Sequence, residues 1–336
     1  MSAVRLQPAF AAAVCLAACS SLPATVGTVT PVAVRATSLT RYGAPVPHKS
    51  WLKAGTSKNT LLYVSDNGSS SVTVYAATGG DTFSLVGELF GFQSPLGACT
   101  DTRGNVFVTD ASARTIVEYA HGSITPKTVI ADDFGQPYGC TIDRKSGRLA
   151  VTNLSNPSGG EPGNVIIYSS LSGEPTEYAD SRLYEPLFCA FDAKGNLYVD
   201  AYDNGFHGVL SELPNGNSTF VALTISGGSL NVPGGVEADG LQILLGDSYD
   251  PKTLIEQLSV SGSTATVTKK IALNNTHTIG VFTLYGSGSS SVVIAPDYDY
   301  SNLQIYQYPG GGSSLGSITA GIDFPVAAVV SAGKAK

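Results

Sequence analysis

The feature that most constrains this chain is an internal repeat of short apolar segments. Six such segments, LLYVSD, NVFVTD, RLAVTN, NLYVDA, QILLGD and SVVIAPD, follow one another at steps of 43 to 50 residues. A period in this range is typical of repeat architectures in which one unit cannot bury its own apolar faces and must stack on its neighbours. We therefore expect a chain built from stacked copies of one small unit.

The sequence of each unit predicts four strands. A seven-residue segment precedes each apolar segment, with copies at 95–101, 137–143, 186–192, 233–239, 277–283 and 325–331, of which 277–283 is degenerate. After each apolar segment comes a third strand of alternating apolar and polar residues, then a turn that contains Gly, and then a variable fourth strand. The 38 Gly residues and 13% charged residues also suit short strands joined by tight turns. Four strands in 40 to 50 residues predict a propeller blade.

The two sets of copies are offset along the chain. The repeats begin with a second strand at Leu61 and end with a first strand at Pro325. We therefore predict an all-β fold, a six-bladed β-propeller of four-stranded antiparallel blades over residues 46–331, whose C-terminal strand closes the first blade. Residues 332–336 would form a tail. Deleting residues 323–331 should unfold the domain.

The unit resembles a known propeller repeat. Pro-x-Gly-x-x-x-Asp at 95–101, then Gly-Asn-Val-Phe-Val-Thr-Asp at 104–110, then a Tyr-ended strand and Gly, resembles NHL-type repeats. LYVSDNGSSSVTVY at 62–75 is similar to the YVTN-type repeat of bacterial surface propellers. The resemblance covers about residues 60–331 and implies the architecture. Such propellers include lyases, lactonases, binding modules and scaffolds, so it implies no single function.

The N-terminus has the pattern of an export signal. Arg5 precedes a short apolar stretch that ends in Leu-Ala-Ala-Cys at 16–19, which resembles a bacterial lipobox. The resemblance implies a signal peptide at 1–18, acylation of Cys19, a lipid anchor in the membrane, and a location in the cell envelope on the periplasmic or outer-membrane side. An ordinary signal peptide with a chance Cys is the alternative. Residues 19–45 predict a flexible tether.

The net charge of the chain narrows the possible partners. A net charge of −7 argues against a nucleic-acid surface, which needs clustered Lys and Arg. We expect a monomer.

Three cysteines, Cys99, Cys140 and Cys189, lie in repeated apolar strands. They are either small buried hydrophobic residues, or two of them form a disulfide bond. Cys140 and Cys189 occupy the same repeat position and are the pair to test.

Carboxylates and tyrosines recur where second strands end. The loops between second and third strands should open on one face of a propeller, where oxygen-rich clusters suit Ca²⁺ or another divalent cation and tyrosines suit sugars. Asp residues at strand ends also cap turns, which is the alternative interpretation. The insertion at 155–164 is a second candidate. The candidate binding face comprises Asp66, Asp110, Asp200, Tyr202, Asp203, Asp247, Tyr249, Asp250, Asp297 and Asp299.

Two functions remain open from the sequence. The first is an envelope-anchored module that binds a protein or carbohydrate ligand, or acts as a scaffold, without catalysis. The second is a metal-dependent hydrolase of the gluconolactonase-like type, for which Glu237 is the acid found inside an innermost strand. His48, His121, His207 and His277 form no paired-His pattern of the streptogramin-lyase type, and we interpret them as turn or surface residues. No cofactor is evident from the sequence.

Overall fold

A computed structural model describes residues 49–248 and 253–332 of the chain. Cys19, Tyr249 and Asp250 lie outside the described residues. Within those two ranges the regular structure consists of strands and two short 3₁₀ turns, Thr56–Lys58 and Gly288–Ser290, with no α-helix. No helix among them is long and apolar enough to cross a membrane.

In the described part of the chain 25 strands form five sheets. The first sheet has the order β1-β4-β3-β2-β25, with β1 Trp51–Leu52, β2 Leu61–Asp66, β3 Ser71–Gly79, β4 Thr82–Leu89 and β25 Pro325–Ser331. The second comprises β5 Pro95–Thr100, β6 Val106–Asp110, β7 Thr115–Tyr119 and β8 Pro126–Ala131. The third comprises β9 Pro137–Ile142, β10 Leu149–Asn153, β11 Asn164–Tyr168 and β12 Thr176–Tyr178.

The remaining strands form an eight-stranded sheet and a four-stranded sheet. The larger contains β13 Glu185–Phe191, β14 Leu197–Tyr202, β15 Gly208–Leu213, β16 Val221–Ser226, β17 Pro233–Asp239, β18 Gln242–Asp247, β19 Leu254–Ser261 and β20 Thr264–Ala272. The smaller contains β21 Thr283–Tyr285, β22 Val292–Asp297, β23 Asn302–Gln307 and β24 Gly316–Ile318. Two antiparallel meanders, β13–β16 and β17–β20, make up the eight-stranded sheet and meet through a parallel pairing of β16 with β20.

These small antiparallel sheets have the arrangement of a β-propeller, as the repeats predict. The first strand of each unit lies innermost, and β5 contacts β9, β9 contacts β13, and β13 contacts β17. The last strand returns to the first sheet, where β25 pairs with β2 from Leu61↔Ser331 to Asp66↔Pro325. This pairing confirms that the C-terminal strand closes the first sheet.

The core lies between neighbouring sheets. The second strands β2, β6, β10 and β22 are buried at every residue, because a sheet packs against each of their faces. Phe107 and Ile116 of the second sheet, for example, form one apolar cluster with Leu149 and Ile166 of the third. Burying each such side chain contributes roughly 1.5–3 kcal/mol, and the stacking supplies the burial that one twisted sheet lacks.

The innermost strands approach one another too closely for a side chain at one repeated position. A Cβ atom on Gly139 would lie 2.4 Å from the carbonyl oxygen of Leu187, and one on Gly97 would lie 2.3 Å from that of Tyr138. Both distances are well inside van der Waals contact. The third residue of the seven-residue segment is therefore Gly at these units because the neighbouring backbone occupies the space of a Cβ.

Buried hydroxyl groups tie neighbouring sheets together near the axis. The Thr109 hydroxyl accepts from the N–H of Gly97 at 2.8 Å and donates to the carbonyl oxygen of Tyr138 in the next sheet at 2.6 Å. Thr152 makes the same two bonds one unit later, and Ser65 makes them one unit earlier. We call these three side chains the hydroxyl pins. Sequence analysis did not single them out, although Ser or Thr precedes Asp or Asn at 65, 109 and 152.

The structure corrects the expected cysteine pairing. Cys99 is bonded to Cys140, with their Cα atoms 5.7 Å apart, and Cys189 is free and buried. Equivalent positions on successive innermost strands point in the same sense around the axis, so Cys140 and Cys189 both face the preceding sheet. Cys99 lies one repeat position later than Cys140, and side chains alternate along a strand, so these two face each other. The hypothesis of a Cys140–Cys189 pair is wrong for this reason.

Candidate binding face at one end of the channel

Five described loops that join second to third strands turn at the same end of the sheets. They comprise residues 67–70, 111–114, 154–163, 203–207 and 298–301, and the segments that lead into the innermost strands lie at the same end. We call this end the hairpin face. It is the face on which the sequence places the candidate carboxylates and tyrosines.

Four of the candidate carboxylates are buried at this end and bind backbone. Asp66 accepts from the N–H groups of Asp323 at 2.7 Å and Phe324 at 2.9 Å. Asp110 accepts from Gln93 and Ser94, both at 2.8 Å. In each case the N–H groups belong to the segment that leads into an innermost strand. The carboxylate therefore fixes the entry of that strand, which is the turn-capping interpretation.

Asp247 and Asp297 have the same role in later units. Asp247 accepts from the N–H groups of Asn231 at 3.1 Å and Val232 at 3.0 Å, and Asp297 accepts from that of His277 at 2.8 Å. Burial raises the pKa of Asp297 above its usual range, although the hydrogen bonds that Asp297 accepts from backbone N–H groups oppose the shift. Side chains engaged in this way are built into the fold and leave few lone pairs for a ligand.

Asp200 lies in the interior of the protein. It is completely buried and accepts from the N–H of Phe188 at 2.7 Å, while its other oxygen has no hydrogen-bond partner among the residues that the structure describes. Burial raises the pKa of Asp200 to about 8. It stands one residue before the strand-end position, as Thr109 and Thr152 do, so it takes the place of a hydroxyl pin in its unit. The structure does not bring it to the hairpin face.

Two of the candidate carboxylates reach solvent on the hairpin face, and each is hydrogen-bonded to a histidine. Asp203 lies 3.2 Å from Nδ1 of His207 and also accepts from the N–H groups of Gly205 and His207. The backbone N–H of His207 is the main reason that the pKa of Asp203 is lowered. Asp299 lies 2.6 Å from Nδ1 of His277 and accepts the hydroxyl of Thr278. Both histidines are loop residues, as expected, and the structure adds their acidic partners.

Aromatic side chains accompany these pairs. Phe206 is 62% exposed, and its φ of 59° lies in the left-handed region that bulky residues rarely adopt. Tyr300 is 59% exposed, and its ring centroid lies 5.8 Å from that of His277. Sequence analysis missed Phe206, although a bulky aromatic residue in the short loop DNGFH was a visible signal.

Further aromatic rings lie deeper, around the start of the innermost strands. Tyr298 packs against Phe324 at 5.0 Å between centroids, and Tyr138 packs against Phe188 at 5.4 Å. Tyr202, a candidate from the sequence, is half-buried, and burial raises its pKa to about 12. Burial likewise raises the pKa of Tyr298 well above its ordinary value, so these phenols remain neutral hydrogen-bond donors.

The insertion at 155–164 also lies on the hairpin face. It folds as a compact turn in which the N–H of Gly159 donates to the carbonyl oxygen of Asn156 at 2.9 Å. The Arg114 guanidinium of the preceding sheet donates to the carbonyl oxygen of Pro157 at 3.0 Å. The loop is thus tied to its neighbour by polar contacts at the rim of the face.

Metal binding remains a prediction. Among residues 49–248 and 253–332 no three His, Cys, Asp or Glu side chains come together in a group that could hold a metal ion. The candidate carboxylates come from several units, and the buried ones accept hydrogen bonds from backbone N–H groups. Their side chains fit a role in organising the loops.

Comparisons with known proteins agree with the fold. A chain in the crystal structure of a nidogen/laminin complex aligns with a TM-score of 0.65 and 14% sequence identity, over 82% of this chain and 100% of that chain. A functionally unknown protein from Desulfotomaculum acetoxidans aligns with a TM-score of 0.56 and 13% identity, with the same coverage. No protein-family model matches, and the search of curated proteins finds no match. Identities this low support the β-propeller fold alone.

Proposed function

We propose that this chain is a six-bladed β-propeller, anchored in the cell envelope through Cys19, that binds a protein partner through its hairpin face. The count of six takes the eight-stranded sheet as two blades, β13–β16 and β17–β20, each an antiparallel meander like the other blades. The six copies of the second strand in the sequence support the same count.

The observation that carries the binding role is the conformation of Phe206. A bulky residue in the left-handed region costs about 1–3 kcal/mol, so the surrounding turn must hold it there. Asp203 does so: its carbonyl oxygen accepts from the N–H of Phe206 at 2.9 Å, and its carboxylate accepts from Gly205 and His207. The hydrogen bonds of the turn thus hold Phe206 in a strained conformation in which its aromatic ring is exposed to solvent.

An exposed, rigidly held aromatic ring suits a protein partner. Binding energy at protein interfaces concentrates in a few aromatic and Arg anchors that insert into pockets of the partner. Phe206 and Tyr300 stand in hairpin loops, whereas small ligands usually bind in concave sites. The similar nidogen/laminin structure is a complex between proteins, which is in keeping with this use of the fold. Carbohydrate binding remains a prediction of the sequence.

Site-specific photo-crosslinking in the producing cell tests the binding face. A photoreactive amino acid at Phe206 or Tyr300 should give the same discrete adduct, because both rings would contact one partner. Val129 and Leu315 are matched controls, 58% and 51% exposed and outside the hairpin loops, and should give no such adduct. Adding Tyr300→Ala should weaken the adduct formed at Phe206. Equal adducts at Val129 and Phe206, or none at either hairpin position, would contradict the proposal.

The lipid anchor rests on the lipobox at 16–19 and is tested separately. The Cys19→Ser chain should lose metabolic labelling by a radioactive fatty acid and move from the membrane to the soluble fraction. Cys15→Ser is the matched control, because Cys15 lies within the predicted signal peptide. Membrane retention and labelling of the Cys19→Ser chain would show that the segment is an ordinary signal peptide.

The lactonase-like alternative remains a prediction of the sequence. No described group of three metal-ligating side chains favours it. Thermal unfolding with added calcium, and again with EDTA, tests for any metal, since an ion that binds the folded state raises the unfolding temperature. A calcium-dependent rise that EDTA reverses would revive this alternative.

A further inference from the structure

A cavity lies at the end of the channel opposite the hairpin face. Its volume is about 800 Å³, and its walls are the C-terminal parts of the innermost strands and the loops that follow them. Cys99, Thr141, Ala190, Glu237, Thr283 and Val329 are among its lining residues. Pockets of roughly 300–1,000 Å³ are the usual size for small ligands. The cavity takes no part in the proposed binding of a protein at the other end.

Glu237 is a half-buried acid on the wall of this cavity. It lies on the innermost strand β17, at the position that neighbouring units fill with Cys99, Thr141 and Ala190. One carboxylate oxygen accepts from the N–H of Ala238 at 3.0 Å, and the other makes no hydrogen bond within the described residues. Burial raises the pKa of Glu237 above its usual range. Glu237 is half-buried by solvent accessibility, so its second oxygen can accept from a ligand cation, which would offset the cost of its partial desolvation.

Two cations line the same cavity nearer to solvent. Arg144 and Lys145 lie on the exposed loop that follows β9. Arg144 is close enough to Glu237 to lower the pKa of that carboxyl by its charge, which opposes the effect of burial. In the described part of the chain Arg144 forms no ion pair with Glu237. The carboxylate of Glu237 and the guanidinium of Arg144 are therefore two separate charges on the cavity lining.

The other acids of the cavity already have partners. Asp143 forms an ion pair with Arg148 at 3.1 Å. The Asp192 carboxylate accepts from the N–H groups of Lys194 and Asn196 in its own turn. Their charges are thus engaged by the protein, which leaves Glu237 and Arg144 as the opposed groups available to a ligand.

We infer that this cavity binds a short zwitterionic peptide, with the ammonium group at Glu237 and the terminal carboxylate at Arg144. A ligand with both charges matches the inner acid and the outer cations at once. A polycation would meet Arg144 and Lys145 at the entrance, and an anion would meet Glu237 on the cavity wall. Asp239, an exposed residue at the outer end of the same strand as Glu237, is already engaged, because it accepts from the phenol of Tyr308 at 2.7 Å. A volume of about 800 Å³ exceeds a single amino acid and accommodates a few residues.

Isothermal titration calorimetry with three forms of one peptide tests this assignment. Trialanine carries both charges, N-acetyl-trialanine lacks the ammonium group, and trialanine amide lacks the carboxylate. Trialanine should bind, and each blocked form should bind at least about tenfold more weakly, since each loses one charge-assisted hydrogen bond. Glu237→Gln should remove the preference for the free amine, and Arg144→Gln the preference for the free carboxylate.

Lys269→Gln, on the exposed strand β20, is the matched control and should leave trialanine binding unchanged. Thermal unfolding checks that each variant is folded, and crosslinking at Phe206 should be the same in the Glu237→Gln chain, which separates this site from the hairpin face. Equal affinity for free and blocked peptides, unchanged affinity in the Glu237→Gln chain, or no heat with trialanine at millimolar concentration would each overturn the inference.

Discussion

The hydroxyl pin at Thr152 permits a sharp test of how neighbouring sheets are joined. The side chain is completely buried, accepts from the N–H of Gly139 at 2.8 Å and donates to the carbonyl oxygen of Leu187 at 2.6 Å. Thr152→Val keeps the shape and the β-branched side chain but removes both hydrogen bonds. No cavity is created, so the change isolates the polar contribution.

The expected loss follows from the two backbone groups that the variant leaves without a partner. A buried donor or acceptor without a hydrogen bond costs about 1–3 kcal/mol, so two such groups should lower the free energy of unfolding by about 2–6 kcal/mol. In a domain of this size 1 kcal/mol corresponds to roughly 2–4 °C, so the unfolding temperature should fall by at least roughly 4 °C. Urea unfolding followed by circular dichroism and thermal scans measure both quantities.

Two further variants make the result decisive. Thr152→Ser keeps the hydroxyl and loses one methyl group, so the free energy of unfolding should fall by only about 1 kcal/mol. Thr266→Val makes the same exchange at an exposed position of β20 and should change stability by less than about 0.5 kcal/mol. If Thr152→Val were as stable as Thr152→Ser, the hydroxyl would not join the sheets and the reasoning would be refuted.

Three further predictions concern closure, the disulfide and pH. Ending the chain after Gly321 removes β25, the partner of β2, and should abolish cooperative unfolding, whereas a sharp transition would show that closure is dispensable. Peptide mapping without reductant should recover Cys99 linked to Cys140, and removing the bond should cost about 3–4 kcal/mol for a sequence separation of 41 residues; a different linkage would contradict the structure. Because burial raises the pKa of Asp200 to about 8, the folded chain holds a proton that the unfolded chain releases near pH 4. Stability should therefore fall, on the order of a few kcal/mol, as pH rises from about 4 to 8, and a pH series of urea titrations should show a flatter profile for Asp200→Asn.

The candidate site was accessible from the sequence only in part. The recurrence of Asp at strand ends marked the correct end of each unit, but whether the carboxylate points to solvent or to backbone depends on neighbouring segments. Asp66 illustrates this, since its partners at 323 and 324 lie far away in sequence. Asp203 and Asp299 belong to the same Asp- and Tyr-containing segments, but they lie beyond the strand ends, within the loops. Their carboxylates therefore reach solvent.

The sequence by itself determined the repeating strands, the propeller architecture and the return of the last strand to the first sheet. These follow from local alternation, turn residues and the offset of the copies, which a single chain displays without its neighbours. Only the tertiary structure decided that Cys99 meets Cys140 rather than Cys189 meeting Cys140, and that the Thr152 hydroxyl reaches the next sheet. The strained turn at Phe206 and the cavity lined by Glu237 were likewise visible only in the tertiary structure. The physical reason is that side-chain direction and inter-sheet contacts depend on how twisted sheets stack around an axis, which no local pattern specifies.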